Sequence, residues 1–159
     1  MKQILAIAII FYTIVSTAQD FKPIKPILEN GIKKHDNTQV AYALKRCITL
    51  NLVMGNWMEE KGGENLKNVA KNFFEQALLL KELSFEIENG IEKSRKTKIS
   101  TRDELEVILL STVKNITPLY VDRLTKNYAL SGSYFDNDEQ LKEEIFICAD
   151  FQKYLKSIR

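Results

Sequence analysis

Histidine is almost missing from this chain: His35 is the only one in 159 residues. Cysteine occurs twice, at Cys47 and Cys148, tryptophan once and proline three times. These scarcities exclude several functions that helical proteins carry. A carboxylate-bridged di-metal centre needs Glu-x-x-His on two helices. A zinc site needs three or four Cys and His ligands, and covalent haem needs Cys-x-x-Cys-His. The two cysteines stand far apart and His35 has no cysteine or second histidine near it in sequence, so no metal and no cofactor is expected. A nucleophilic triad would have to be built on His35. There is no P-loop and no Gly-x-Gly-x-x-Gly. Carboxylates alone can still do acid–base work, and Glu75, Glu82, Glu86, Asp122, Glu143, Glu144 and Asp150 fall on or near helix faces. Pairing with lysines at i±4 on a solvated surface accounts for them more simply. The chain is therefore expected not to be an enzyme, with paired carboxylates as the alternative.

Long apolar runs are also scarce. The one that exists is Ile4–Val15, preceded by Met1-Lys2 and followed by Ser16-Thr17-Ala18. A short positive start, an apolar run and small residues at −3 and −1 make a cleavable export signal. The run is too short for a membrane span, which needs about 20 apolar residues, and polar Gln19, Asp20 and Lys22 close it. Residues 1–18 are read as a cleaved signal peptide, leaving no transmembrane anchor and placing the mature chain in the periplasm or outside the cell. Cleavage removes Lys2 and no acidic residue, so the formal charge of +2 becomes +1. A sum this small says nothing about an anionic partner; only the distribution can. In an exported chain two cysteines imply one disulfide, Cys47–Cys148.

No stretch of period two is long enough for a sheet, and no repeat is present. Helical spacing is present throughout. Residues 19–36 contain Pro23 and Pro26, which favour an extended arm. Asp36 or Asn37 then caps a helix over about 37–59 whose apolar residues reach around most of its circumference. Asn51 falls within that face, as a hydrogen-bonded core amide or the lining of a small pocket. A second helix, about 64–89, keeps the clearest spacing of three and four, and Gly90 is placed to end it. Thr101 and Glu104 form a capping-box pattern for a third helix, about 102–130, in which Pro118 predicts a kink or break near 115–117. Asn115-Ile116-Thr117 matches a glycosylation sequon within it. Asp136 or Asn137 caps a fourth helix ending near Ser157.

Four long helices with short connections predict an all-α, up-down-up-down four-helix bundle over 37–159 with an N-terminal extended arm. The first and last helices are then antiparallel neighbours. Setting Cys47 opposite Cys148 places Val40 against Leu155, Leu44 against Phe151, Leu50 against Ile145 and Met54 against Leu141. Each pair is apolar, so bundle and disulfide require the same register.

That topology sorts the loops into two ends. One gathers Trp57, Met58, Tyr128, Leu130, Tyr134 and Phe135, either a lid over the core or a contact surface. The other gathers twelve cationic side chains against six acidic groups, with Lys93, Arg95, Lys96 and Lys98 at its centre. The expected function is an exported, non-enzymatic helical binding protein of the protein-interaction, inhibitor or immunity type. Its partner is an unknown protein or anionic surface rather than a specific nucleic acid, met through the basic residues or through Trp57 and Tyr134. The alternative is an envelope carrier of a small apolar ligand, with a pocket at Asn51.

Overall fold

A computed structural model describes residues 21–61 and 63–156. Residues 1–18, read above as a signal segment, lie outside the described residues, as do the Leu155 side chain and those of Lys153, Lys156 and Arg159. Five α-helices follow one another: α1 Ile24–Lys33, α2 Asn37–Lys61, α3 Gly63–Ser94, α4 Arg102–Ser131 and α5 Glu139–Lys156. No strand occurs among the described residues, and the all-helical class read from the spacing holds.

The extended arm does not. Residues 24–33 form α1, with Pro23 as N-cap and Pro26 in the first turn. The first four N–H groups of a helix have no internal partner, so proline there removes no intrahelical bond. Ile24 and Leu28 lie one turn apart, both buried, and Gly31 lets the helix close on α2: a Cβ at Gly31 would stand 2.9 Å from Val40 Cγ2. The helix ends in a Schellman motif. His35 takes φ 52°, Asp36 N–H donates to Gly31 O at 2.8 Å and His35 N–H donates to Ile32 O at 3.1 Å.

α2 is the centre of the fold. It packs against α1, α3, α4 and α5, and its buried residues point in every direction, from Val40 and Ala41 through Leu44, Cys47 and Ile48 to Val53 and Met54. Asp36 caps it, Oδ1 accepting from Thr38 N–H at 3.0 Å. α3 runs back along α2, as the contacts Lys45–Glu88 and Thr38–Arg95 show. Near the opposite end, a Cβ at Gly55 would lie 2.6 Å from the Phe74 ring. α2 meets α5 at Cys47–Cys148, where the Cα atoms are 5.2 Å apart and the pair is at disulfide distance. Val40, Leu44, Leu50, Met54, Leu141 and Phe151 are all in the core, with Ile145 packed at its edge.

Helix ends differ from expectation at three places. α3 does not stop at Gly90 but continues to Ser94, because Ile91 is buried one turn beyond Ile87 and helix geometry is what places it there. Its Schellman motif comes later: Lys96 takes φ 54°, Thr97 N–H donates to Glu92 O at 3.0 Å and Lys96 N–H donates to Lys93 O at 3.1 Å. Pro118 does not break α4, which is continuous to Ser131; Pro118 and Lys114, whose carbonyl loses its helical donor, are both exposed. The cap of α5 is neither Asp136 nor Asn137 but Asp138, whose Oδ1 accepts from Leu141 N–H at 2.9 Å. The capping box of α4 is present, Thr101 N–H donating to Glu104 Oε2 at 2.7 Å. That bond first, and Lys98 next, hold the Glu104 carboxyl at about 2.

Gly90 thus sits inside a helix, and a Cβ added to it would meet nothing within 4 Å. Gly90→Ala is expected to stabilise the protein by about 0.5–1 kcal/mol, since alanine has less freedom to lose and the site is compatible. Urea unfolding measures this. A loss of stability would show that the chain needs a glycine conformation there.

Candidate functional site

The most heavily bonded polar site is closed to solvent. Arg46 on α2 and Glu144 on α5 are each only 1 % exposed, and Tyr120 on α4 is fully buried. Arg46 Nη2 donates to both Glu144 oxygens, at 2.9 and 3.0 Å. Tyr120 O–H donates to Oε2 at 2.8 Å, while Gln140 Nε2 and the Ile24 N–H donate to Oε1 at 3.1 and 3.2 Å. Arg46 Nη1 donates to the Lys22 carbonyl, and its guanidinium lies 3.7 Å from the Phe21 ring centroid. Burial first, and the Glu144 charge next, push the Tyr120 phenol far above its ordinary value, so it stays a donor. The two Glu144 oxygens together accept five hydrogen bonds, which satisfies the charge and leaves little acceptor capacity for acid–base chemistry. The network ties the start of α1 to α2, α4 and α5. Helical spacing does not reveal it, since by spacing Tyr120 belongs to the core stripe and Glu144 to the surface. The signal available was Arg46, a charged residue inside a helix that is apolar nearly all round.

At the end bearing Trp57, the rings pack on one another, although the Trp57 indole N–H is buried without an acceptor among the described residues. Trp57 and Tyr134 meet edge to face at 4.5 Å between centroids, and Tyr134 stacks on Tyr128 at 4.5 Å. Asn127 Nδ2 holds the Tyr134 carbonyl at 3.1 Å and Asp138 Oδ2 at 3.1 Å, and Arg123 pairs with Asp138. Burial raises the Asp138 carboxyl, but the bonds from Arg123, the Leu141 N–H and Asn127 outweigh it and the net shift is downward. Its stabilisation is present above the unfolded value and lost as pH falls through the folded one. This arrangement packs Trp57 and Tyr134 into the fold, whereas Leu130, near the end of α4, is 81 % exposed.

At the opposite end the predicted basic residues divide. Lys98 pairs with Glu104, Arg102 with Glu82 and Lys25 with Glu143. Arg95 Nη2 donates to Thr38 Oγ1 at 3.0 Å, which pins the α3–α4 connector to the start of α2. Lys33, Lys34, Lys93 and Lys96 are exposed and make no ion pair among the described residues. Of the acidic groups at that end three are engaged within the fold, while Glu29, one turn before Lys33, is exposed. Asp36 caps α2, Glu88 pairs with Lys45, and Glu92 accepts from Ser100 N–H at 2.7 Å and Ser100 Oγ at 2.6 Å.

Asn51 lines a pocket of about 240 Å³ between α2, α3 and α5, with Leu50, Val69, Asn72, Phe73, Gln76, Ile145, Cys148 and Ala149. Its Nδ2 donates to the Cys47 carbonyl at 2.8 Å. Compared with family models, curated proteins and solved structures, the chain matches none. Among the described residues no group of three or more His, Cys, Asp and Glu is placed to hold a metal ion. No helix among them is long and apolar enough to cross a membrane.

Proposed function

We propose that this is an exported, non-enzymatic binding protein that docks the acidic face of a partner protein through its basic end, as an inhibitor or immunity-type protein does. Its frame is an up-down-up-down bundle of α2–α5 with α1 as a fifth helix laid across it. One observation carries the reading: the Arg95–Thr38 bond draws the end of α3 to the start of α2. The lysines of two separate helix ends, Lys33 and Lys34 with Lys93 and Lys96, then share one end of the molecule. Both ends are closed by Schellman turns, so the backbone that carries these lysines is fixed. Favourable interaction with the C-terminal dipoles of α1 and α3 explains part of the placement. It does not account for the absence of ion pairs at these four lysines, since Glu88 is paired with Lys45 and Asp36 and Glu92 are turned to backbone and hydroxyl donors. Such a lysine cluster focuses potential and speeds encounter with an anionic surface, and a disulfide-linked core suits a rigid docking body. Lysines are point charges without the planar fork that reads bases or phosphates, which favours an acidic protein over a specific nucleic acid.

The test is retention on heparin, with salt elution, for the protein beginning at Gln19 and for a Lys33→Gln, Lys34→Gln, Lys93→Gln, Lys96→Gln variant. The parent is expected to bind at low salt and to elute as salt rises, because exposed charges are screened within about 8 Å at physiological ionic strength. The variant should elute several-fold earlier in salt with its helicity intact. Arg95 and Lys98 are kept because they hold Thr38 and Glu104. If parent and variant elute together, the basic end is only a solvated face. Stronger binding to anionic vesicles than to any acidic protein recovered by pull-down would assign the surface to lipid instead.

A further inference from the structure

We infer that the pocket beside the disulfide is a binding site for a small neutral aromatic molecule carrying one hydrogen-bond donor. Asn51 is the reason. It is only 6 % exposed, and its Nδ2 is committed to the Cys47 carbonyl, which leaves Oδ1 with no donor among the described residues. The oxygen is not among the fully enclosed side-chain atoms that lack a partner, so it stays open to a donor brought from outside. Asn51 is also a lining residue of the pocket, so a donor that meets this oxygen can arrive through the opening.

The walls set the rest of the ligand. Leu50 and Cys148 are buried and form the inner surface, with Phe73, Val69 and Ile145 around it. No charged side chain lines the pocket among the described residues. An ionised ligand would be desolvated there without a counter-charge, which is strongly unfavourable. The size bounds the ligand as well. A dry cavity of roughly 150 Å³ accepts one benzene ring, so about 240 Å³ has room for two fused rings. The exposed Asn72 at the mouth can meet a second polar substituent without entering the apolar part. This site is separate from the basic end, and its test does not depend on the partner proposed above.

The probe is 1-naphthol, neutral at pH 7 with one O–H donor, followed by calorimetry or ligand-observed NMR on the protein beginning at Gln19. Saturable one-to-one binding is expected with a Kd of about 100 μM, ordinary for a fragment of this size. Naphthalene-1-sulfonate, with the same rings and a fixed charge, should bind at least about tenfold more weakly. Asn51→Leu should reduce naphthol affinity about tenfold while leaving naphthalene, which has no donor, nearly unaffected. Val69→Trp, at a half-buried position on the outer wall, should fill the space and abolish binding of both with the fold retained. No saturation below about 1 mM, or equal naphthol affinity in Val69→Trp and the parent, would overturn the inference. Equal loss of naphthol and naphthalene in Asn51→Leu would show that the amide only shapes the wall.

Discussion

Glu144→Ala is expected to destabilise the protein by about 3–5 kcal/mol, the range for removing one partner of a buried ion pair. The expected size follows from what is left behind. Arg46, 1 % exposed, would keep its charge and lose its carboxylate, while Tyr120, Gln140 and the Ile24 N–H would lose their acceptor. Arg46→Ala should be comparable. The paired change Arg46→Met with Glu144→Leu should recover part of the loss, because it removes the unpaired charge but leaves Tyr120 O–H and the Ile24 N–H without an acceptor. Chemical denaturation of the two single variants and the double variant gives the coupling directly. In Glu144→Ala the Ile24 N–H at the start of α1 loses its acceptor, so chymotryptic cleavage after Phe21 should accelerate before global unfolding. A single-variant loss below about 1 kcal/mol, the range of exposed pairs, would show that the two groups are solvated and that the closed network does not persist in solution.

Removing both cysteines, as Cys47→Ala with Cys148→Ala, is expected to cost about 3–5 kcal/mol. The bond closes a loop of sequence separation 101. The chain-entropy model gives roughly 4–5 kcal/mol for a loop of that size, and measured values centre on about 2–4 kcal/mol. The two sulfurs are also core atoms, since Cys47 is fully buried and Cys148 nearly so, so a packing loss is added. Reduction of the parent separates the contributions. Dithiothreitol should lower the unfolding midpoint of the parent and leave the double-alanine variant unchanged. In the native state reduction should be slow, because neither sulfur is accessible. If denatured, unreduced protein takes up alkylating reagent at both cysteines, the bond is absent in solution and the loss reduces to two small core truncations.

The two effects act on the same face of α2, which explains how a chain of this size holds its last helix. α5 touches α2 and α1, and besides burying Leu141, Ile147 and Phe151 it is held at three points: Cys148 to Cys47, Glu144 to Arg46, and its cap Asp138 to Arg123 on α4. Apolar contact alone would let a short amphipathic helix slide along its neighbour, since a stripe repeating at three and four residues fits itself again after seven. Three point attachments at different heights do not permit that.

By itself the sequence determined the class, the four long helices and the facing of Cys47 and Cys148, because these depend on local and periodic signals. Apolar residues at three and four, a Thr101–Glu104 capping box and two cysteines on matching stripes act within one or two turns of chain. It also placed Asn51 on an inward face. Where two local signals competed, tertiary burial decided. Gly90 is a favourable stop signal, yet the burial of Ile91 carries α3 one turn further. Pro23 and Pro26 read as extended chain, yet the seat for Ile24 and Leu28 on α2, with prolines only where a helix tolerates them, makes a helix of that segment. What no periodic signal holds is long-range pairing of charge. Arg46 and Glu144 are 98 residues apart, and the free energy of a charge depends on which groups the completed fold sets around it. The same holds for the basic end, where the Arg95–Thr38 bond that draws the end of α3 to the start of α2 joins residues 57 apart.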